Sequence, residues 1–362
     1  MSGGVDSSVT AKLLAQQDYD LSAVFMRNWD TRDESGTDTG CEWEKDWEDV
    51  QRVCRTLDIP CRMVDLSRDY WTRVFEPALK AWELGDTPNP DIWCNREVKF
   101  GALMDRLAEN IEFLATGHYA RKAHDPISLR PQLFRPLDRQ KDQTYYLSSI
   151  PEASLSKAIF PLADLTKSDV REIAKQAGLH TASRDESMGI CFVGEKRRFS
   201  DFLAEYIPQK LGHMIDLRTG QIVGEHRGLW AYTIGQGARV QGLPEKLFIA
   251  RKDNATNEIW LAPGSHPALS ASKITAKHWS WIWGDAPPLA IDTPAGLRAR
   301  LQFRHRMLDV PCTVRRSATD AIEISFDEPQ KAVAPGQIAT VWDNDWCLGC
   351  GTISGVNTMD MS

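Results

Sequence analysis

No apolar run in this chain of 362 residues approaches the ~18 residues that a membrane-spanning helix requires, so no such span is expected. A basic excess is also missing. Lys and Arg total 43 against 50 Asp and Glu, a net charge of −7, which argues against a uniformly basic nucleic-acid binder and leaves RNA contact to local patches. The cysteines, Cys41, Cys54, Cys61, Cys94, Cys191, Cys312, Cys347 and Cys350, lack the close spacing of a disulfide framework, which favours a reducing compartment and individual thiol chemistry. There is no internal repeat and no long low-complexity linker. Met1 stands where the strand feeding a doubly wound sheet should end, so either a start truncated at an internal methionine or a differently built sheet edge is expected, and the lack of a visible targeting segment is uninformative.

The first eight residues are dense in chemistry. Ser2-Gly3-Gly4-Val5-Asp6-Ser7-Ser8 has the form of the phosphate loop of enzymes that split ATP between its α and β phosphates. Gly3 and Gly4 lack Cβ atoms, so backbone N–H groups can close on an anion, and Ser2, Ser7 and Ser8 add hydroxyls where a helix begins. Asp6 could cap that helix or hold Mg²⁺. The Gly-Lys-Ser/Thr ending that serves γ-phosphoryl transfer is absent, which disfavours a kinase or motor ATPase. Val9, Leu13 and Leu14 supply an apolar helix face behind the loop.

Length and the 42% apolar content suit about two or three soluble domains. Apolar runs at 21–26, 62–66 and 113–116, with helical patterns around 45–58 and 98–110, predict an α/β domain with a doubly wound, mostly parallel sheet. Beyond about residue 204, short alternating strands at 258–262, 297–305, 312–316, 322–326 and 338–342 predict β structure. The expected division is 1–203 catalytic, 204–268 a small central β-rich module and 269–362 a β-barrel.

Two cysteines stand in unusual settings. Thr87-Pro88-Asn89-Pro90-Asp91-Ile92-Trp93-Cys94-Asn95 places a carboxylate three residues before a thiol, and Gly189-Ile190-Cys191-Phe192-Val193-Gly194 flanks another with glycines. Each alone fits a buried structural cysteine; beside an ATP loop, nucleophilic chemistry gains weight. At 297–305 a period of two puts Leu297, Ala299, Leu301 and Phe303 on one face and Arg298, Arg300, Gln302 and Arg304 on the other, either a solvated strand face or a basic stripe. Cys347 and Cys350 have C-x-x-C spacing but no second Cys or His pair for zinc, so they read as structural and no metal site is expected. Trp279, Trp281 and Trp283 read as strand and core residues rather than base-stacking platforms.

Together with Phe25-Met26-Arg27-Asn28-Trp29, Ala115-Thr116-Gly117-His118-Tyr119-Ala120, Lys141-Asp142-Gln143-Thr144-Tyr145-Tyr146-Leu147, Tyr232-Thr233-Ile234-Gly235-Gln236 and Pro335-Gly336-Gln337, these motifs resemble the tRNA-specific 2-thiouridylases across essentially the whole chain. The resemblance implies an adenine-nucleotide α-hydrolase-like catalytic domain. It implies ATP-dependent adenylation of the wobble uridine 2-oxygen of tRNA, followed by displacement of AMP by sulfur. Cys191 would carry a persulfide, Cys94 would release its sulfur and end in a Cys94–Cys191 disulfide, and Asp91 would be the acid/base. Ser2, Gly3, Gly4, Val5, Asp6, Ser7, Ser8, Met26 and Gly117 would bind ATP, with Mg²⁺. Asn89, Pro90 and Asp91 would meet the flipped base, and His118, Lys141, Asp142, Gln143, Arg304, His305 and Gln337 other parts of the tRNA. A persulfide donor protein and a reductant are the further partners implied. The segments around Arg304 and Cys191 look closer to mitochondrial members than to bacterial ones, for which the cytoplasm would be expected. An amide-forming ligase sharing the loop, or a non-catalytic RNA-binding relative, are the alternatives.

Overall fold

The structure, a computed structural model, describes residues 1–29, 42–109, 111–185, 199–319 and 321–360. Cys41 and Cys191 lie outside them. The chain forms two compact units, residues 1–75, 91–196 and 345–347 in one, and 76–90, 197–344 and 348–362 in the other.

The first unit begins with the phosphate loop and helix α1 (Val5–Leu14). Strand β1 (Ala23–Arg27) pairs in parallel with β2 (Cys61–Asp65), and helix α2 (Glu42–Leu57) forms the crossover. A second parallel pair joins β3 (Leu114–Ala115) to β6 (Ala158–Ile159). Parallel pairing separated by helices is the expected α/β texture, and ligands in such folds collect beyond the carboxyl ends of the strands. Met1 donates from its amino group to the Val24 carbonyl beside β1. In the chain between β3 and β6 comes an antiparallel hairpin that apolar patterning did not reveal, β4 (Arg121–His124) with β5 (Pro131–Phe134). Arg121-Lys122-Ala123-His124 has no apolar alternation; the turn is instead fixed by Asp125, whose carboxylate accepts from the Ile127 and Ser128 amides at 3.1 and 2.8 Å.

Helix α1 buries Val5 and Val9 against Val53 of α2 and against Val170 and Ala174 of a later helix, Lys167–Gln176. That helix starts on a capping box in which Thr166 and Asp169 satisfy each other's backbone amides. Between them in the chain lies the short helix Pro90–Trp93, which runs into a π-helical stretch, Cys94–Ala102. Numbered in chain order, Pro90–Trp93 is α3 and Lys167–Gln176 is α4.

The second unit contains two β structures. A four-stranded sheet has the order β8 (Ile222–His226), β7 (Gly212–Asp216), β10 (Glu258–Pro263), β9 (Leu247–Asp253), with only β7 and β10 parallel. Its core includes Met214, Ile249, Ile259 and Leu261. Six strands then close on themselves in the order β11 (Ser270–Trp281), β14 (Ile322–Lys331), β13 (Val310–Arg316), β12 (Leu297–Gln302), β15 (Ile338–Asp343), β16 (Trp346–Thr358), and β16 returns to β11. Closure removes the sheet edges. The long strands β11 and β16 escape period-two reading because their register shifts at bulges, three of them along their shared ladder. Trp279 and Trp281 belong to β11, as expected of strand residues.

Candidate functional site

The phosphate loop is built by close approach. Gly3 has φ +73°, and a Cβ there would stand 2.8 Å from the Asp46 carbonyl oxygen and 2.9 Å from an Arg184 guanidinium nitrogen. Only glycine fits both the conformation and the space. Gly4 is the N-cap of α1, and its carbonyl accepts from the hydroxyls of Ser7 and Ser8 at 3.0 and 2.9 Å. The loop is further tied down by Arg184, which donates to the Gly3 carbonyl at 3.0 Å and pairs with Asp46 and Asp49; His180 meets Asp49 at 2.7 Å.

Of the two roles expected of Asp6, helix cap or Mg²⁺ ligand, the first is not taken, because no side chain caps α1. Its carboxylate instead accepts from Lys167 Nζ on both oxygens, at 2.7 and 2.8 Å, and from the Tyr119 hydroxyl at 2.9 Å. Sequence reasoning missed Lys167. One signal was available: a lysine at the first position of a helix opposes the helix dipole, and such a local conflict marks a residue held for another reason.

Gly117, at the carboxyl end of β3, lies against the same loop; a Cβ would stand 2.9 Å from both Asp6 C and Ser7 N. The next residue carries the connection onward. His118 is 8% exposed, its Nε2 lies 3.3 Å from Lys99 Nζ and its Nδ1 2.9 Å from Thr116 Oγ1. The ammonium can only donate, so Nε2 accepts and Nδ1–H donates to the threonine hydroxyl. Burial, with Lys99 adding to it, holds His118 well below the ordinary imidazole range, so the ring is neutral.

Lys99 also donates to Asn95 Oδ1 at 2.9 Å, and Asn95 Nδ2 donates to the Asp91 carbonyl at 3.0 Å. Cys94 sits within this turn, 9% exposed, with Asn28 Nδ2 at 4.0 Å from its sulfur. Burial raises the Asp91 carboxyl above the usual range, opposed by Lys99. A carboxyl so raised, three residues from a thiol, is suited to proton transfer. Phosphate loop, Gly117, His118, Lys99, Asn95 and the Asp91–Cys94 turn thus form one contiguous series. Met26 lies at the carboxyl end of β1, in the same unit.

The residues expected at RNA have varied settings. Asp142 pairs with Arg135 at 2.6 Å and accepts from the Thr144 amide; Gln143 Oε1 accepts from the Tyr119 amide at 3.0 Å. Lys141 is half-buried, its amide on the Asp138 carbonyl. In the second unit, Gln337 Nε2 donates to the Thr87 carbonyl at 2.6 Å, Asn89 is half-buried, and Pro88 and Pro90 are buried. Arg304 is exposed, donating to the Lys331 carbonyl at 3.3 Å with its guanidinium 5.2 Å from the Phe303 ring centre; His305 follows it, half-buried. Along β12 the expected alternation fails at Gln302, which is 4% exposed and donates to the Arg304 carbonyl. Arg298 and Arg300 pair with Asp327 and Asp309, so the stripe is largely neutralised. Cys347 and Cys350 are buried in β16, and among the described residues no group of three His, Cys, Asp or Glu side chains could hold a metal.

Comparison with known proteins bears on the whole chain. Residues 1–195 match the family described as a tRNA methyl transferase HUP domain, 200–263 its PRC-barrel domain and 271–353 an aminomethyltransferase β-barrel domain. A tRNA-specific 2-thiouridylase MnmA of Bacillus licheniformis is 44% identical over 98% of this chain and 94% of its own. The proteins of the same description from Bacillus subtilis and Aeromonas hydrophila are 43% and 40% identical, again over 98% of this chain and over 94% and 95% of theirs. All three are bacterial, so they lend no support to the mitochondrial expectation. The domain descriptions speak of methyl transfer, but similarity over nearly the full length of both chains is the more specific finding, and by it the chain belongs to the tRNA-specific 2-thiouridylase family.

Proposed function

We propose that this protein is a tRNA-uridine 2-sulfurtransferase that uses ATP to activate the wobble uridine of tRNA. The observation that carries the reading is the unbroken series from the phosphate loop through Gly117 and His118 to Asp91 and Cys94. It supplies an anion cradle and a thiol within one unit, which an amide-forming ligase would not need.

The uracil 2-oxygen is a poor leaving group, so its attack on the α-phosphorus of ATP, with loss of pyrophosphate, makes C2 displaceable. The cradle from Ser2 to Ser8 would hold the departing pyrophosphate, and the backbone near Met26 the adenine. The terminal sulfur of a Cys191 persulfide then attacks C2 and AMP leaves. Cys94 thiolate attacks the Cys191 sulfur, freeing 2-thiouridine and leaving a Cys94–Cys191 disulfide that a reductant must open; a separate donor reloads Cys191. Asp91 handles the proton, and Asn89 and Pro90 flank the flipped base. His118, Lys141, Asp142, Gln143, Arg304, His305 and Gln337 are the candidate tRNA contacts.

The residues do not fit a resident Mg²⁺ site: Asp6 already accepts from Lys167 on both oxygens, and no carboxylate cluster accompanies it among the described residues. Magnesium would therefore arrive as the counter-ion of ATP. No helix among the described residues is long and apolar enough to cross a membrane. The test is thionucleoside analysis of tRNA after incubation with ATP, a persulfide donor, a reductant and the protein. Appearance of 2-thiouridine with one pyrophosphate per event is expected; pyrophosphate release without thiolated tRNA would favour a ligase instead.

A further inference from the structure

Lys99 has no part in the chemistry above, yet it stands where the two halves of that chemistry meet. On one side its Nζ lies 3.3 Å from His118 Nε2, and His118 follows Gly117, which abuts the phosphate loop. On the other it donates to Asn95 Oδ1 at 2.9 Å, and Asn95 Nδ2 donates to the Asp91 carbonyl. All of these residues belong to the first unit. The π-helical stretch Cys94–Ala102 holds the lysine in place, because its chain neighbours Val98 and Phe100 are buried on either side of it. A Cβ at Gly101 would stand 2.9 Å from the Arg96 carbonyl oxygen, five residues back, so glycine suits the wide turn here. The surroundings are apolar: the Phe100 and Phe160 ring centres lie 6.2 and 6.3 Å from that of His118, and His118 and Asn95 are both buried.

The partners of this ammonium set it apart from the other lysine of the site. Lys167 has the Asp6 carboxylate, whereas both acceptors of Lys99 are neutral, an amide oxygen and an imidazole nitrogen. Among the described residues no carboxylate pairs with Lys99; Asp91 feels its charge, which works against burial to favour the ionised carboxyl, without forming an ion pair with it. An ammonium carries three donors, so two are used within the protein and one remains. A half-buried cation without a counter-charge is costly, and the cost is offset when an anion arrives with the substrate. With pyrophosphate in the cradle and adenine near Met26, the α-phosphate is the anion that joins them and becomes bonded to the uridine 2-oxygen. It is therefore the group that has to lie between the loop and the thiol.

We infer that Lys99 is a further catalytic residue, whose ammonium, held between Asn95 and His118, donates its remaining hydrogen bond to a non-bridging oxygen of the nucleotide α-phosphate. The inference rests on the thiouridylase reading. The ammonium keeps its proton throughout. As the uridine 2-oxygen attacks the α-phosphorus and pyrophosphate departs, negative charge gathers on the non-bridging oxygens. When sulfur then displaces AMP, the bond from C2 to oxygen breaks with its electron pair on the phosphate. A cation fixed beforehand in apolar surroundings stabilises both steps without reorganising. The neutral state of His118 fits this arrangement, since a protonated ring would offer no acceptor and would repel the ammonium.

The experiment compares wild type with Lys99→Met, which removes the charge at similar length, and Lys99→Gln, which removes the charge but keeps a donor for His118. Calorimetric titration with AMP, which carries the α-phosphate, is set beside titration with adenosine, which does not, both without tRNA or sulfur donor. AMP affinity should fall about ten- to a hundredfold in both variants, the share of one hydrogen bond to a charged group, while adenosine affinity stays within about twofold. Single-turnover pyrophosphate release with tRNA should drop on the order of 100-fold, with tRNA Kd within about twofold. Equal losses for AMP and adenosine would reduce Lys99 to a structural role and overturn the inference; unchanged AMP affinity would overturn it as well. Should Lys99→Met fail to fold, the same ratio read on Lys99→Gln decides. Wild type that releases no pyrophosphate with tRNA would instead defeat the thiouridylase reading, while the comparison of AMP with adenosine would still decide whether Lys99 meets the phosphate.

Discussion

Around the phosphate loop, Asp6 meets Tyr119 and Lys167, separated from it by 113 and 161 residues, whereas on the barrel strand β12 Arg298 and Arg300 find Asp327 and Asp309 within 29 and 9 residues. The first group is enclosed: the Lys167 side chain is 13% exposed, and the Asp6 side chain 32%. The Arg298 side chain is 61% exposed. Enclosed charges are screened little and must be matched by placed partners, while exposed pairs contribute ~0–1 kcal/mol. Charge at the phosphate loop is thus committed to a site; charge along β12 mainly solvates the strand.

The sharpest way to break this contrast is at the thiol. Cys94→Ser should abolish 2-thiouridine formation and leave tRNA-dependent pyrophosphate release near wild type, because adenylation precedes sulfur transfer. Cys350→Ser, in the barrel, should lose neither. Mass spectrometry of the non-reduced, digested protein after one turnover should find the Cys94 and Cys191 peptides joined; both peptides free while thiolated tRNA accumulates would sink the paired-thiol route.

Asp91→Asn comes next, with a rate loss on the order of 10²–10⁴ expected for removing an acid/base. Its stability effect has the opposite sign. Burial penalises ionised Asp91, so the native protein favours the protonated form; that contribution is full below the ordinary carboxylate range and is lost as pH rises through the raised native value. The asparagine variant should therefore melt higher than wild type near pH ~8, and the gain should disappear near pH ~3, below the ordinary carboxylate value of about 3.9. An equal difference in melting temperature at both pH values would remove Asp91 from the enclosed class.

Asp6→Ala should lower pyrophosphate release by roughly 10–100-fold through loss of loop order and leave tRNA Kd unchanged. It should also destabilise the fold by ~1–3 kcal/mol, since it strips Lys167 of its carboxylate. Measured together, pyrophosphate release, gel-shift affinity and thermal melting separate the two effects. Parallel loss of tRNA affinity would show that the loop and the RNA surface are not independent.

What was legible beforehand follows the same division. Period-two runs announced β10, β12, β13, β14 and β15, and the glycine-serine loop announced α1, because local pattern determines those elements. The hairpin at Arg121–Phe134 was hidden by polar residues, and the capping role expected of Asp6 gave way to a lysine far along the chain. Gln302 sat on the side of β12 expected to face solvent and is buried instead. Motifs located the Asp91–Cys94 turn through Asn95, but the linking roles of Asn95 and Lys99 and the hold of Lys167 on Asp6 were not read from them. The contacts of Asp6 with Tyr119 and Lys167 span 113 and 161 residues, are fixed by packing, and are not carried by one chain read alone.

The smallest expected effect tests the barrel side. Arg298 and Arg304 are both exposed residues of the expected basic face, but Arg298 makes a paired approach to the Asp327 carboxylate at 2.8 and 2.6 Å. Arg304 meets a carbonyl, and among the described residues no carboxylate pairs with it. A paired arginine has little net field to offer a phosphate, whereas an unpaired one releases a counterion on binding. Arg304→Ala should therefore weaken tRNA binding a few-fold and reduce the magnitude of the slope of log K against log salt by about 0.7–0.9, the share of one phosphate contact. Arg298→Ala should leave both the slope and the affinity within error and change stability by less than ~1 kcal/mol. Salt titrations of tRNA binding for the two variants decide it, and equal slopes would mean that ion pairing on β12 does not sort its arginines into solvating and binding ones.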